Sequence, residues 1–524
     1  MKKNKFKFFF IFLILLIFIK TDYRLEGGIY CCKDDHDYYA HAETLIIDFD
    51  FDYTNQLVGN EQARFYFDGK SAPSAFFGAG LLSAPFLFLG NILDNLFQNN
   101  SLYNFKILFY SFSSIFYLIF SMLLIYKISM YFNKKHNPFI LYLYVIGSGI
   151  GFYAFERYSM SHIYELFSIS LLFYYCLKFY TQDLNNYTAT LIPLMVMLAI
   201  MTRWVNIYVF LIPYIVSKIV KNSKNSLLLN KFFLASSLFS IFIFLYHTYL
   251  IFGVVTINPE FTYNTSGTLS NYISSNSNLF LFIFNNLKNL VLLLFGPEFG
   301  LIWFSPIIFF GLYICLKNII FNKDRLFNLL IVFCFMQIFA LVLIWKSTGS
   351  SYGYRYTLNL VPLSLIVLFS QNYINKTEEI YLKIMSGFSL LSVIFFETTL
   401  STQLSLEYIE NMYGKITKFT QPNYLFGYLN SFTELEAYLK IFAQSYLGFF
   451  VFYIFVYFLG VDKFYQILDS YSLPYQNQDF QILISKIQVI ELSKFIVSLL
   501  LIFLLTYLLS SFKPKNELIR IESD

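Results

Sequence analysis

Asp34, Asp35 and Asp37 lie in the stretch Asp34-Asp35-His36-Asp37-Tyr38-Tyr39-Ala40, soon after the first apolar run of the chain. They belong to a wider concentration: residues 22–68 hold 11 of the 32 acidic residues, against three basic ones. A carboxylate held where a membrane meets water can act as a general base, taking a proton from an acceptor hydroxyl or amine. A plainer use exists. The stretch leads into a short helix expected over residues 38–47, with Ala42, Leu45 and Ile46 on the bilayer surface, and Asp34 or Asp35 can cap it. Spacing alone leaves both uses open.

Further along, His162 and Glu165 are three residues apart, so a helix puts them on one face. Ionisable groups inside an apolar span are costly and mark sites or polar cavities. A buried structural hydrogen bond between the two is the competing account. A divalent cation could sit among Asp34, Asp35 and Asp37. No metal-spaced Cys or His cluster, glycine-rich phosphate loop or Ser-His-Asp set accompanies them, so no metal and no cofactor is assigned.

The elements that must position these residues are membrane helices. Of 524 residues, 57% are hydrophobic, 22% aromatic and 13% charged. That charged share is about half the usual one for a soluble domain, and a soluble fold of this size could not hide so much apolar surface. The net charge of +5 is scattered over short connections, which argues against nucleic acid as a partner. Five cysteines are too few for a disulfide framework, and the adjacent Cys31 and Cys32 would form a strained bond.

The run from Phe8 to Ile19 follows four lysines and no small-x-small cleavage site succeeds it, so it reads as an uncleaved signal anchor with a cytoplasmic N-terminus. Further charge-poor runs lie near residues 107–126, 139–155, 160–178, 188–202, 204–217, 232–252, 300–316, 327–345, 357–371, 384–398, 441–460 and 495–511. With about 20 residues needed per crossing, this predicts an all-α, polytopic protein of about thirteen transmembrane helices. Lys127, Lys134 and Lys135, then Lys218 to Lys231, then Lys317, Lys323 and Arg325, then Lys376 and Lys383 fall in predicted inner connections. The long outer loops are then 21–102, 253–299 and 399–440, with residues 1–400 as the membrane catalytic domain and 401–524 as a last outer loop and final helices. Within the first loop, Pro73 to Phe86 is rich in proline and glycine and predicts a re-entrant or surface-lying element rather than a simple spanning helix.

Taken in order, these features resemble the GT-C superfamily of membrane glycosyltransferases. The residues that carry the likeness are the anchor, the acidic loop with Asp-x-x-Asp-Tyr-Tyr-Ala, Leu45 to Asp52, and Gly78-x-x-Leu81-Leu82-x-Ala84-Pro85-Phe86. Ser159-Met160-Ser161-His162, Phe295 to Pro306 and Gly349 to Tyr356 extend it, so that it covers roughly residues 1–375. The branch resembled holds the bacterial relatives of protein O-mannosyltransferases and of the aminoarabinose transferase acting on lipid A.

The resemblance implies inverting transfer of a sugar from a polyprenyl-phosphate donor to a lipid, glycan or protein acceptor, among membrane lipids, on the outer face of a bacterial inner membrane. It puts the key acidic residue at Asp34, with Asp35 and Asp37 as neighbours that could take the role. Since the leaving group is a lipid phosphate, cations must stand near it, and Arg355, Arg203 and Lys346 are the candidates. An arginine fork matches phosphate oxygens better than a point charge; snorkelling at the interface is the alternative for Arg203. A transporter or lipid flippase, and an O-antigen polymerase or ligase, are the rival readings.

Overall fold

In the computed structural model the residues described are 29, 33–57, 65–97, 104–132, 138–155, 157–181, 185–220, 227–257, 262, 279–295, 300–321, 323–345, 354–370, 375–400 and five positions between 459 and 466. The anchor run, the two last apolar runs and nearly all of 401–524 lie outside them.

The first-loop elements are α1 (Lys33–Glu43), a π-helical turn over Thr44–Asp48, the antiparallel strands β1 (Phe65–Phe67) and β2 (Lys70–Ala72), and α2 (Gly78–Leu96). The bundle proper follows with α3 (Phe105–Tyr131), α4 (Pro138–Val145), α5 (Gly151–Phe155), α6 (His162–Thr181), α7 (Asn186–Thr202), α8 (Ile212–Ile219) and α9 (Lys231–Phe252). Then come α10 (Leu279–Phe295), α11 (Leu301–Phe304), α12 (Pro306–Ile320), α13 (Arg325–Trp345), α14 (Val361–Ser370) and α15 (Lys376–Leu400). Two 3₁₀ segments, Trp204–Leu211 and Arg355–Leu360, lead into α8 and α14.

Ten of the apolar runs read from the sequence, from 107–126 to 384–398, coincide with these helices. Four described helices are long and apolar enough to cross a membrane: α2, α3, α9 and residues 325–343 of α13. Several others are interrupted. A π turn at Ile146–Ile150, with Gly149 at φ 90°, divides α4 from α5, and Ser305-Pro306 divides α11 from α12.

Three expectations for the first loop need correction. Where a re-entrant or surface-lying element is expected over Pro73–Phe86, the chain from Gly78 is one continuous helix of spanning length that carries Pro85 inside it. A single proline forfeits one ladder bond and kinks the axis without ending a helix that neighbours support. The helix expected over residues 38–47 instead begins at Lys33, so Asp34 and Asp35 lie in its first turn rather than ahead of it. Its Ala42 is wholly buried against Ala84, Leu87, Tyr110 and Tyr158, not on the bilayer surface. Finally, the chain is mostly but not purely helical. Asp68 and Gly69, at φ 48° and 77°, make the two-residue turn that pairs Phe65 with Ala72 and Phe67 with Lys70.

Between helices in lipid, apolar contact displaces only equally apolar tails, so close backbone approach and hydrogen bonds must hold the bundle. Helix α2 shows this. A Cβ at Gly78 would stand 2.4 Å from the Met201 carbonyl carbon at the end of α7, and one at Gly80 would stand 2.4 Å from His41 Cβ on α1. At its other end, Asp94 accepts from the backbone N–H of Phe105 and Lys106, both at 2.9 Å, and so closes the first turn of α3. Helix α3 meets α6 and the link before it through buried hydroxyls: Ser113 with Tyr164 at 2.6 Å, and Tyr110 with Ser159 of the link at 2.8 Å.

Candidate functional site

Three carboxylates meet three guanidinium groups where α1, the link from α5 to α6, the end of α7 and the second 3₁₀ segment converge. Consecutive helix residues are turned by about 100°, so Asp34 and Asp35 reach different arginines. Asp34 Oδ2 accepts from Arg355 Nη2 at 3.1 Å, across 321 residues of sequence. Asp35 Oδ2 takes Nη2 of Arg157 at 2.8 Å and its Nε at 2.9 Å, and the Asp35 carbonyl accepts from Ser159 Oγ at 2.6 Å. The side chain of Asp35 is 2% exposed and that of Asp34 20%, so Asp34 is the member of this pair that a ligand can reach. Asp37 is buried and held elsewhere. Its Oδ2 accepts from the Ser74 hydroxyl at 3.0 Å and the Ser74 N–H at 3.2 Å.

The third carboxylate is Glu165. Its Oε1 accepts from Ser161 Oγ at 2.7 Å and from Arg203 Nη1 at 3.4 Å, and the same Nη1 lies 3.3 Å from His162 Nδ1. His162 and Glu165 share a face as their spacing predicts, with Nδ1 and Oε2 3.8 Å apart. Arg203 is buried, not spread along an interface. The extended backbone at this residue ends α7, and the guanidinium turns inward over the Tyr356 ring, 4.0 Å from its centre. Arg355 stacks beside the same ring at 5.3 Å. One aromatic ring therefore gathers both arginines.

The backbones that carry the two arginines are tied to each other. Asn359 Nδ2 donates to Asn206 Oδ1 at 2.8 Å, and Tyr208 donates to the Asn359 carbonyl at 2.6 Å. Two buried polar atoms at the site have no hydrogen-bond partner among the described residues: Arg355 Nε, a donor, and Glu165 Oε2, an acceptor. Leaving such atoms unmatched costs about 1–3 kcal/mol each, a cost that a ligand supplying the complementary atom removes.

The structure thus brings together Asp34, Asp35, Arg355, Arg203, His162 and Glu165. It puts Asp37 on the neighbouring Ser74 contact, and Lys346 lies outside the described residues. Sequence reasoning missed Arg157, Tyr356 and Ser74. Arg157 could have been found: Glu156-Arg157 is a pair of charges between two apolar runs, where an ionisable residue needs a partner. Tyr356 had no signal beyond its place next to Arg355. Among the described residues, no group of three or more His, Cys, Asp or Glu side chains is arranged to hold a metal ion.

No protein-family model matches the sequence, and no curated protein matches it. Among solved structures the chain is similar to the archaeal oligosaccharyltransferase AglB from Archaeoglobus fulgidus, in complex with an inhibitory peptide and a dolichol-phosphate, at 13% identity and a TM-score of 0.33. The match covers 90% of this chain and 60% of that one, so the chain spans less than two thirds of that protein's length. At such a TM-score the overlap does not align individual site residues.

Proposed function

We propose that this chain is a membrane glycosyltransferase of the GT-C kind, moving a sugar from a polyprenyl-phosphate donor to a cell-envelope acceptor on the outer face of a bacterial inner membrane. One observation carries the reading: the partly exposed Asp34 carboxylate lies against Arg355, and the Tyr356 ring beside Arg355 also bears Arg203. A base and two phosphate-matching cations are what the transfer requires.

The chemistry follows from that grouping. Donor phosphate oxygens take the guanidinium of Arg355, including the Nε donor that has no hydrogen-bond partner among the described residues, and Arg203 adds a second positive charge. Asp34, relieved of Arg355, accepts the proton of the acceptor hydroxyl or amine as its lone pair attacks the anomeric carbon. The bond from that carbon to the phosphate oxygen breaks on the opposite side, and the arginines stabilise the negative charge left on the carrier. One carboxylate suffices for a single inverting displacement. Asp35 and Asp37 are sealed by Arg157 and Ser74, which favours Asp34 among the three as the base.

The test is made on membrane lipids. A strain lacking this chain should accumulate a polyprenyl-phosphate sugar visible by mass spectrometry, and the wild-type chain, but not Asp34→Asn, should clear it. An unaltered profile of lipid-linked sugars in the deletion strain defeats the proposal.

A further inference from the structure

The β-hairpin of the first loop has a feature that chemistry at the site does not use. Its two strands seat Phe65 and Ala72 in a small core with Ala40 of α1, Met201 of α7, and Ile251 and Phe252 at the end of α9. Phe65 packs edge-on against Phe252, ring centres 4.9 Å apart. Lys70 lies across the C-terminus of α9, with its Nζ donating to the Leu250 carbonyl at 2.6 Å, where a helix dipole favours a cation. The hairpin is therefore fixed to the end of a particular helix, and yet Tyr66 and Phe67 on it are 68% and 44% exposed.

What that exposed surface faces follows from α9. This helix is long and apolar enough to cross a membrane, and only 28% of its apolar window is buried in the protein. Leu238, Phe239, Ile241, Phe242, Tyr246 and Tyr249 are all exposed along it, so its outward faces need lipid. The end of a spanning helix lies at the level of the headgroups, where tyrosine and lysine are at home and a phenylalanine ring can bury itself at the acyl boundary.

We infer that the β1–β2 hairpin is an interfacial anchor: Tyr66 and Phe67 insert among the lipid headgroups, continuing the lipid-facing surface of α9. The partner is the bilayer itself. The inference holds whatever reaction the site performs. Because the same small core includes Ala40, the anchor also fixes the height of α1, and with it Asp34, relative to the headgroups.

The experiment uses the full chain in lipid nanodiscs, with native cysteines replaced and a single nitroxide placed by Tyr66→Cys or Phe67→Cys. Paramagnetic accessibility to oxygen and to a water-soluble nickel chelate is read against the same label at Tyr246→Cys. The anchor predicts an oxygen-to-nickel ratio at 66 or 67 several-fold above that of a free label in buffer and below that at 246. Water-like accessibility at both hairpin positions, with 246 in lipid, overturns it. Water-like accessibility at 246 as well overturns it by removing α9 from the membrane. Labelling at two hairpin positions guards against one substitution that disturbs the fold.

Discussion

Asp34 and Asp35 share a helix turn and a charge, and their surroundings give them different duties. Asp34→Asn keeps shape and hydrogen bonding but removes the proton acceptor, so transfer should fall by about 10²- to 10⁴-fold. Thermal stability in detergent should fall less than in Asp35→Asn, because Asp34 is 20% exposed against 2% for Asp35 and asparagine can still accept from Arg355. Asp35→Asn leaves Arg157 buried without its counter-charge, which costs about 3–5 kcal/mol; its midpoint of unfolding should drop sharply. Equal thermal stability of the two variants would refute this division. For Arg355→Lys, the charge stays and the fork is lost, so donor titration should show a raised KM, a lowered kcat, or both; unaltered donor kinetics would remove Arg355 from the phosphate site. At this scale the sequence exposes residues of unusual type for their setting. The acidic stretch marks Asp34, ionisable groups in an apolar span mark His162 and Glu165, and the need for cations beside a lipid phosphate marks Arg203 and Arg355, whereas Ser74 and Tyr356 are ordinary residue types here and only the fold shows what they touch.

Among elements, the sequence reveals most where a hydrophobic run has one reading. The bundle helices from α3 to α15 follow from length and lack of charge, except α10 (Leu279–Phe295), which lies within the outer loop expected over 253–299. Helix α2 did not, because its glycines and Pro85 are local breakers whose effect is overruled by neighbours that cannot be seen in one dimension. The hairpin was legible in principle through Asp68-Gly69, but three-residue strands give almost no alternation to detect. The close approach of α2 to α7 makes a sharp prediction. Gly78→Ala places a methyl 2.4 Å from the Met201 carbonyl carbon and the Thr202 nitrogen, both backbone atoms with no rotamer to yield. Overpacking of this kind costs about 1–3 kcal/mol, and it bears on the residue immediately before Arg203. Both thermal stability and donor affinity should fall, as a melting curve and a donor titration will show. An unchanged pair of measurements would mean that α2 is free to step aside.

For the molecule as a whole, helix existence was readable but its consequence for sidedness rests on lysine counts. Thr54 and Lys323 are both exposed, and the positive-inside pattern puts them on opposite faces. In a background without native cysteines, Thr54→Cys should react with a membrane-impermeant thiol reagent in intact cells and Lys323→Cys only after lysis; the reverse pattern would invert the topology. The distance along the chain between Asp34 and Arg355 has a further consequence, one that concerns the making of the protein. At about 5–20 residues per second, 321 residues of translation take roughly 16–64 s. Asp35 finds Arg157 after 122 residues, so α1 gains this ion pair while its neighbour's arginine is still unmade. The charge network therefore closes in two stages. A nascent chain arrested before residue 354 lacks the second 3₁₀ segment and the asparagine clasp that registers it to the first, so the Asp34–Arg355 contact cannot form until most of the bundle has been made.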